Sequence, residues 1–449
     1  MTAFVSVALL VIVTFSFLFA DARHFFMYWL HLVILQNVVS GLWFSDAEGS
    51  VPLVVTEAKT IAIVLALIFH IPKIVKIAST DKLLLSGIVV YAIGLLSNIT
   101  SFSPVAIATL RNFTVTIAVL FVALACSAST ELKERANFLR VILAATTFWL
   151  VTGAIGEFFV TTGDWRDFFN ADALGGLNSL SETTSLFGVE LARIGGFLLE
   201  PVNAGYMAAS VLVVLWVLRF AERERLHSTT DILCFAGSLF ALASAATKNG
   251  LMMFFIAAIA RLLLSRSMSP RLVVLWSGAA AFVVTLGYAT LVKGPAYLQA
   301  VFTNPVAASG GESTSIHMAG LVSGFQSLIA TPFGHGLGTG GNFLKLFDPT
   351  VTRVAWLSTG SESAWGTLAY QGGILCVAGL VVIVLQMARS LGPGSTVLLA
   401  VWASAALFAE SFFGPIASSV LMIAAAYVGV HSERLELVQP TKMVQRLRN

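Results

Sequence analysis

Four stretches of this sequence hold residues able to do chemistry. Arg193 to Gly205 (RIGGFLLEPVNAG) places a cation, a carboxylate, a helix-opening proline and an amide close together. Pro201 suits the first turn of a helix. Glu200 then lies against the positive end of the helix dipole, which favours its ionised form. Two readings fit: a helix-capping carboxylate beside a solvated arginine, or Arg193 holding an anionic ligand that Glu200 orients. The glycine pairs Gly175-Gly176 and Gly195-Gly196 let the backbone turn tightly and approach a ligand.

The second stretch, Ser244 to Gly250 (SAATKNG), joins two apolar runs. Its Lys248 either snorkels to the membrane interface or, with Thr247 and Asn249, meets a phosphate or a sugar hydroxyl. The third begins at Glu312, where Met318, Val322, Phe325 and Ile329 mark one apolar face of a helix lying along the membrane surface. Ser313 or Thr314 could cap that helix, and His317 falls in its first turn. Thr331-Pro332 ends it, and FGHGLGTGGN follows, with Gly334, Gly336, Gly338, Gly340 and Gly341 around His335. Such a run can present N–H groups to a phosphate, and a plain flexible loop fits it equally. No Gly-Lys-Ser/Thr follows, so it is not a P-loop, and no strand-helix alternation makes it a dinucleotide site.

His317 has the chemistry of a general base near neutral pH, or it is a surface or structural histidine. It stands 18 residues from His335 with no convincing third ligand, so neither a metal nor another cofactor is expected. In the fourth stretch Glu362-Ser363 sets a carboxylate just before an apolar run. Glu410 could do likewise from the outer end of its own run, or snorkel.

The elements that must position these residues are transmembrane helices. Of 449 residues 57% are hydrophobic and only 11% charged, and the mean hydropathy is +0.89. A soluble chain carries about a quarter charged residues. The pattern predicts an all-α polytopic membrane protein of about 12–13 spans with two long extracytoplasmic loops. The first span is residues 1–20, too long and too poor in basic residues for a typical signal peptide. Others fall near 25–44, 52–71, 83–100, 104–127, 138–160, 201–219, 230–246, 248–264, 272–291, 366–387, 396–413 and 415–431. The plan is thus N-terminal helices (1–160), a first outer loop (161–200), central helices (201–291), a second outer loop with the surface helix and glycine turn (292–363), C-terminal helices (364–431) and a basic cytoplasmic tail (432–449). Cys126, Cys234 and Cys376 all lie in apolar runs and offer neither a disulfide framework nor a thiol-metal site.

About 18 of the 26 cations fall in alternate short breaks, which marks that side as cytoplasmic and puts both long loops outside. The cations left over are Lys59, Arg111, Arg166, Arg193, Lys248, Lys293, Lys345 and Arg353. Lys59 and Arg111 lie one to two turns inside their helices. A charge there costs about 2.5–3.5 kcal/mol on insertion scales and is a functional candidate. The alternatives are ligand binding and neutralisation by Glu57 or Glu157.

These outer-side features together resemble the Wzy/WaaL superfamily of bacterial O-antigen polymerases and ligases. Arg193-x-x-Gly196-Phe197…Glu200-Pro201-x-Asn203 is similar to that family's Arg-x-x-Gly…(Glu/His)-Pro-Asn motif. Ala246 to Gly250 sits where relatives often have Ser-Arg and a small residue. Thr331 to Gly338 resembles its glycine loop, and Glu362-Ser363 through Gly373-Ile374 its motif entering the next span. The likeness covers about residues 190–375.

The resemblance implies a metal-independent glycosyltransferase of the bacterial plasma membrane, with its active face periplasmic. A polymerase moves a glycan from undecaprenyl diphosphate onto the next lipid-linked repeat unit; a ligase moves it onto the lipid A core. Arg193, Lys248, Arg111, His335 and Gly336 would bind the diphosphate, and His317, Glu200 or Glu362 would serve as base. Expected partners are the undecaprenyl-diphosphate-linked oligosaccharide and the lipid bilayer, with a chain-length-regulating co-polymerase and a flippase left open, and no nucleic acid. Lys248 stands in place of the usual arginine, losing bidentate phosphate contact. His317 stands where many polymerases have arginine. Ser361-Glu362 occupies the place of a ligase His-Asn/Ser pair, which favours polymerase over ligase. A transporter is the competing class; it calls for internal repeats and helices broken near the midplane. No repeat is visible.

Overall fold

The computed structural model describes residues 22–43, 57–128, 130–169, 183–186, 189–220, 229–310, 313–348 and 350–428. The expected span over 1–20, the break at 45–51, Gly175-Gly176 and the tail at 432–449 lie outside them. The chain is a multi-pass helical membrane protein. Among the described residues eight helices are long and apolar enough to cross a bilayer, and four shorter apolar helices accompany them.

The helices are α1 (Ala22–Trp43), α2 (Ala58–Ser79), α3 (Lys82–Ser97), α4 (Pro104–Ser127), α5 (Leu132–Val160) and the short α6 (Thr162–Phe168). A two-stranded antiparallel hairpin follows, β1 (Thr183–Leu186) and β2 (Val189–Ala192), paired Thr183 to Ala192. Next come α7 (Pro201–Phe220), α8 (Thr229–Ala245), α9 (Lys248–Ser265) and α10 (Pro270–Lys293). After α10 come α11 (Ala296–Thr303), α12 (Pro305–Ser309), α13 (Ser313–Ala330), α14 (Asn342–Phe347) and α15 (Arg353–Ser358). The chain ends with α16 (Ala364–Leu391), α17 (Pro393–Ala405), a 3-10 turn at Glu410–Phe413, and α18 (Pro415–Val428).

Local chemistry sets the helix starts. Proline opens α4, α7, α10, α17 and α18, where its missing N–H costs nothing. Ser103 caps α4, and Asp81 caps α3 by accepting from Leu83 and Leu84 N–H. α7 is buried almost all round, with α8, α9 and α18 packed against it, and forms the centre. The outer helices α2, α3, α8 and α10 expose Ile68, Ile93, Leu233 and Val283. An apolar face of that extent belongs against hydrocarbon. α3 packs closely on α16 because a Cβ on Gly94 would sit 2.8 Å from Cys376 N, and one on Gly379 2.5 Å from Tyr91 N.

Several expectations change. The span expected at 52–71 is helical from Ala58 to Ser79, so it carries Lys73 and Lys76 within it. The span expected at 396–413 stops at Ala405. The chain then turns back through Glu410–Phe413, where Trp402 Nε1 donates to Phe412 O at 2.8 Å and Pro415 starts the next helix. The helix expected to carry an apolar face is α13, and its Val322, Phe325 and Ile329 line one apolar groove. Ser315 and Met318 through Gly324 are buried, because Gly320 and Gly324 bring its backbone against Ser361 and Gly366 at the head of α16.

Candidate functional site

The segment between α5 and α7 is anchored by the end of α5. The Glu157 carboxylate, at the end of α5, accepts from Gly195 and Gly196 N–H at 2.8 and 2.6 Å. Ile194 N–H donates to Ser244 O, and the buried Arg193 donates through Nε to Ala245 O at 3.1 Å. These bonds tie the arginine to the end of α8. The turn to α9 needs only Ala246 and Thr247, so Lys248 is the first residue of α9 and lines the same cavity as Arg193. Gly205 makes this possible: a Cβ there would lie 2.2 Å from Thr247 Oγ1.

The segment between α10 and α16 closes the other side. His317 Nδ1 lies 3.1 Å from Glu362 O and 3.4 Å from Glu362 Oε2. Both partners are acceptors, so Nδ1 carries the hydrogen, and in the neutral imidazole the lone pair is on Nε2. Glu362 has φ +69, an arrangement that costs a non-glycine residue about 1–2 kcal/mol and is found at functional sites.

Between these segments is a polar cavity of about 230 Å³. Of the residues singled out in the sequence, Arg193, Glu200, Lys248, His317 and Glu362 line it. Thr247, Asn249, Tyr206, Asn342, Ser411 and Thr285 add hydroxyls and amides. Asn249 Nδ2 donates to Tyr206 OH at 3.0 Å and to Phe408 O at 3.2 Å. Tyr206, Ser411 and Thr285 escape sequence reading because each sits in or beside an apolar run with nothing local to mark it, while Asn342 closes the glycine run.

Burial pushes the Glu200 carboxyl up to about 7, against the Asn203 amide hydrogen bond and Arg193, which favour its anion. Desolvation outweighs the helix dipole that the sequence suggested would keep it ionised. Burial also lowers the Arg193 pKa, opposed by Tyr206 and Glu200, and as an arginine it stays charged.

Arg111, His335 and Gly336 do not line the cavity. Arg111 pairs with Glu57 and lies over Phe343, its guanidinium carbon 5.1 Å from the ring centre. Of its two readings, the neutralising one fits. His335 stacks on Tyr370, with ring centres 4.0 Å apart. The glycine run is a strap, with most of its N–H groups committed to protein acceptors. His335 N–H donates to Tyr370 O, Gly336 N–H to Gln371 O, Leu337 N–H to Asn98 O, and Gly338 N–H to Gln371 Oε1. Donors spent this way are not available to cradle a phosphate. The strap fills a break in α16 at Gly373, whose φ is +67, and Ile374 N–H reaches back to Pro332 O. Among the described residues no group of three or more metal-ligating side chains comes together.

An apolar groove of about 700 Å³ adjoins the cavity, between α10, α13 and α16. Thr285, His317, Glu362 and Phe408 line the cavity; within one turn along the same segments Phe282, Leu321, Trp365 and Leu407 line the groove. The combination suits an amphiphile with a polar anionic head and a hydrocarbon chain.

Comparison with protein-family models, curated protein sequences and solved structures returns no match to this chain.

Proposed function

We propose that this protein is a glycan polymerase. It would transfer a glycan from a polyprenyl diphosphate carrier to the next lipid-linked repeat unit at the outer face of a bacterial plasma membrane. One observation carries the reading. Arg193, Glu200, Lys248, His317 and Glu362, from separate parts of the chain, line one small cavity that adjoins a hydrocarbon-sized groove.

In this reading Arg193 and Lys248 hold the diphosphate, and the groove takes the start of the carrier's chain. His317 Nε2 takes the proton of the acceptor hydroxyl, and that oxygen bonds to the anomeric carbon. The bond from the anomeric carbon to the phosphate oxygen breaks, and its electron pair leaves with the diphosphate. Positive groups already in place stabilise the charge that develops there; removing one such group typically costs about 10²–10³ in rate. Glu362 orients His317 and stabilises its imidazolium. A near-neutral Glu200 suits a hydrogen bond to a sugar hydroxyl. The break in α16 is a feature a transporter would use, but the strap's N–H groups take up the carbonyls around it.

The test uses cells lacking the gene, complemented with wild type or with Arg193→Ala at matched membrane levels. Surface and lipid-linked glycans are then resolved by size. Single capped units in the deletion, long chains with wild type and none with Arg193→Ala support the proposal. Long chains accumulating on the carrier in the deletion would make the protein a ligase. Unchanged glycans would overturn the reading and favour transport.

A further inference from the structure

Tyr206 lies in the second turn of α7 and is only 2% exposed, yet it lines the polar cavity. A phenol is costly to bury unless its hydroxyl is bonded. Tyr91 shows the ordinary solution: its buried hydroxyl donates to Phe113 O at 2.6 Å. Tyr206 is bonded the other way round.

Asn249, the second residue of α9, sets the direction. Its Nδ2 lies 3.2 Å from Phe408 O and 3.0 Å from the Tyr206 hydroxyl oxygen. A backbone carbonyl only accepts, so the amide must turn its NH2 group, and not its oxygen, towards Phe408. One hydrogen of that group goes to the carbonyl and the other to the phenol oxygen. Tyr206 therefore accepts from Asn249, and its own hydrogen is left to donate elsewhere. Among the described residues no protein group takes that hydrogen. Of the two carboxylates of the cavity, Glu200 accepts from the Asn203 amide and Glu362 turns to His317, and neither bonds to the phenol.

The neighbours say what the hydrogen meets. The Tyr206 ring packs on Phe412, with ring centres 4.7 Å apart, which holds the phenol in place. Asn249 directly follows Lys248, and both line the cavity with Arg193. An arginine and a lysine have donors and no acceptor, and the phenol adds its hydrogen to theirs. An ionised phosphate presents acceptor oxygens alone and matches all three.

We infer that the Tyr206 hydroxyl is a ligand-binding donor, held by Asn249 so that its hydrogen goes to a phosphate oxygen bound by Arg193 and Lys248. In the proposed transfer that bond strengthens as charge develops on the departing diphosphate. That the phosphate belongs to a lipid carrier rests on the function proposed above; the direction of the hydroxyl does not.

Equilibrium binding to purified protein in nanodiscs tests this with two probes, geranylgeranyl diphosphate and inorganic pyrophosphate. Tyr206→Phe, which removes only the hydroxyl, should weaken binding at least about tenfold. Tyr91→Phe loses the bond to Phe113 O but lies outside the cavity, so it should bind like wild type. A second readout follows the phenol itself. In protein labelled with 3-fluorotyrosine, the fluorine resonance missing from Tyr206→Phe identifies this residue among the seven tyrosines. A saturating probe should shift that resonance.

Undiminished binding in Tyr206→Phe, an equal loss in Tyr91→Phe, or an unmoved resonance at saturation would overturn the inference. So would wild-type protein that binds neither probe. If pyrophosphate binds through Tyr206 and the lipid diphosphate does not bind, the donor stands and the lipid-carrier reading fails. If lipid binding depends on Tyr206 but deletion leaves glycans unchanged, the donor stands and the glycan reading fails.

Discussion

At the scale of single residues, what each group does depends on its desolvation and its partners. Glu200 and Glu410 show it: burial lifts them to about 7 and about 8 from an ordinary 4.5. Between 4.5 and these values the folded protein binds protons that the unfolded chain has released, so folding stability must fall as pH rises through that window. The thermal midpoint of purified protein is expected to drop from about pH 5 to about pH 9, and Glu200→Gln or Glu410→Gln to flatten the slope. A flat wild-type profile would contradict these environments. Arg111 makes a different case, because it pairs with Glu57. Arg111→Ala strands that carboxylate and should destabilise the protein by about 3 kcal/mol. Adding Glu57→Gln should recover most of the loss in thermal unfolding, whereas no recovery would mean that Arg111 acts elsewhere.

At the scale of elements, the site depends on the contact between α13 and α16. A Cβ on Gly320 would lie 1.8 Å from Ser361 O, so Gly320→Ala must push the helices apart and draw His317 from Glu362. Such overpacking costs about 1–3 kcal/mol, and glycan length should fall with it. Gly287 of α10 has open space at the same test, so Gly287→Ala should change neither readout. Equal effects of the two substitutions would show that the close contact is not what matters. The helices themselves were legible in the sequence because a bilayer demands apolar runs with every backbone group satisfied internally. What was hidden depends on partners distant along the chain. Hydropathy reads 396–413 as one span, although Asn342 N–H and Trp402 Nε1 make a return at Glu410–Phe413 possible. The glycines of the strap show where unusual backbone angles occur, but not that Asn98 and Gln371 take up their N–H groups. Arg193, Lys248 and His317 were identifiable because a cation on the outer side, or a histidine in a polar segment, stands out. Tyr206 was not, since one tyrosine in an apolar helix carries no local sign that its hydroxyl meets Asn249.

At the scale of the whole molecule, a polar cavity and an apolar groove share the walls formed by α10, α13 and the head of α16, so head and chain of one ligand can be held together. Ala279→Trp on α10 would fill part of the groove. It is expected to cut use of a lipid-linked glycan at least about tenfold, or about 1.4 kcal/mol, without unfolding the protein. Full activity would place the chain elsewhere. The central claim is that this cavity holds a lipid diphosphate, and equilibrium binding of radiolabelled geranylgeranyl diphosphate to purified protein in nanodiscs tests it most directly. Arg193→Ala and Lys248→Ala should each weaken binding at least about tenfold, or about 1.4 kcal/mol, while Arg111→Ala leaves it unchanged. Undiminished binding in both cavity variants, or loss with Arg111→Ala alone, would contradict the account.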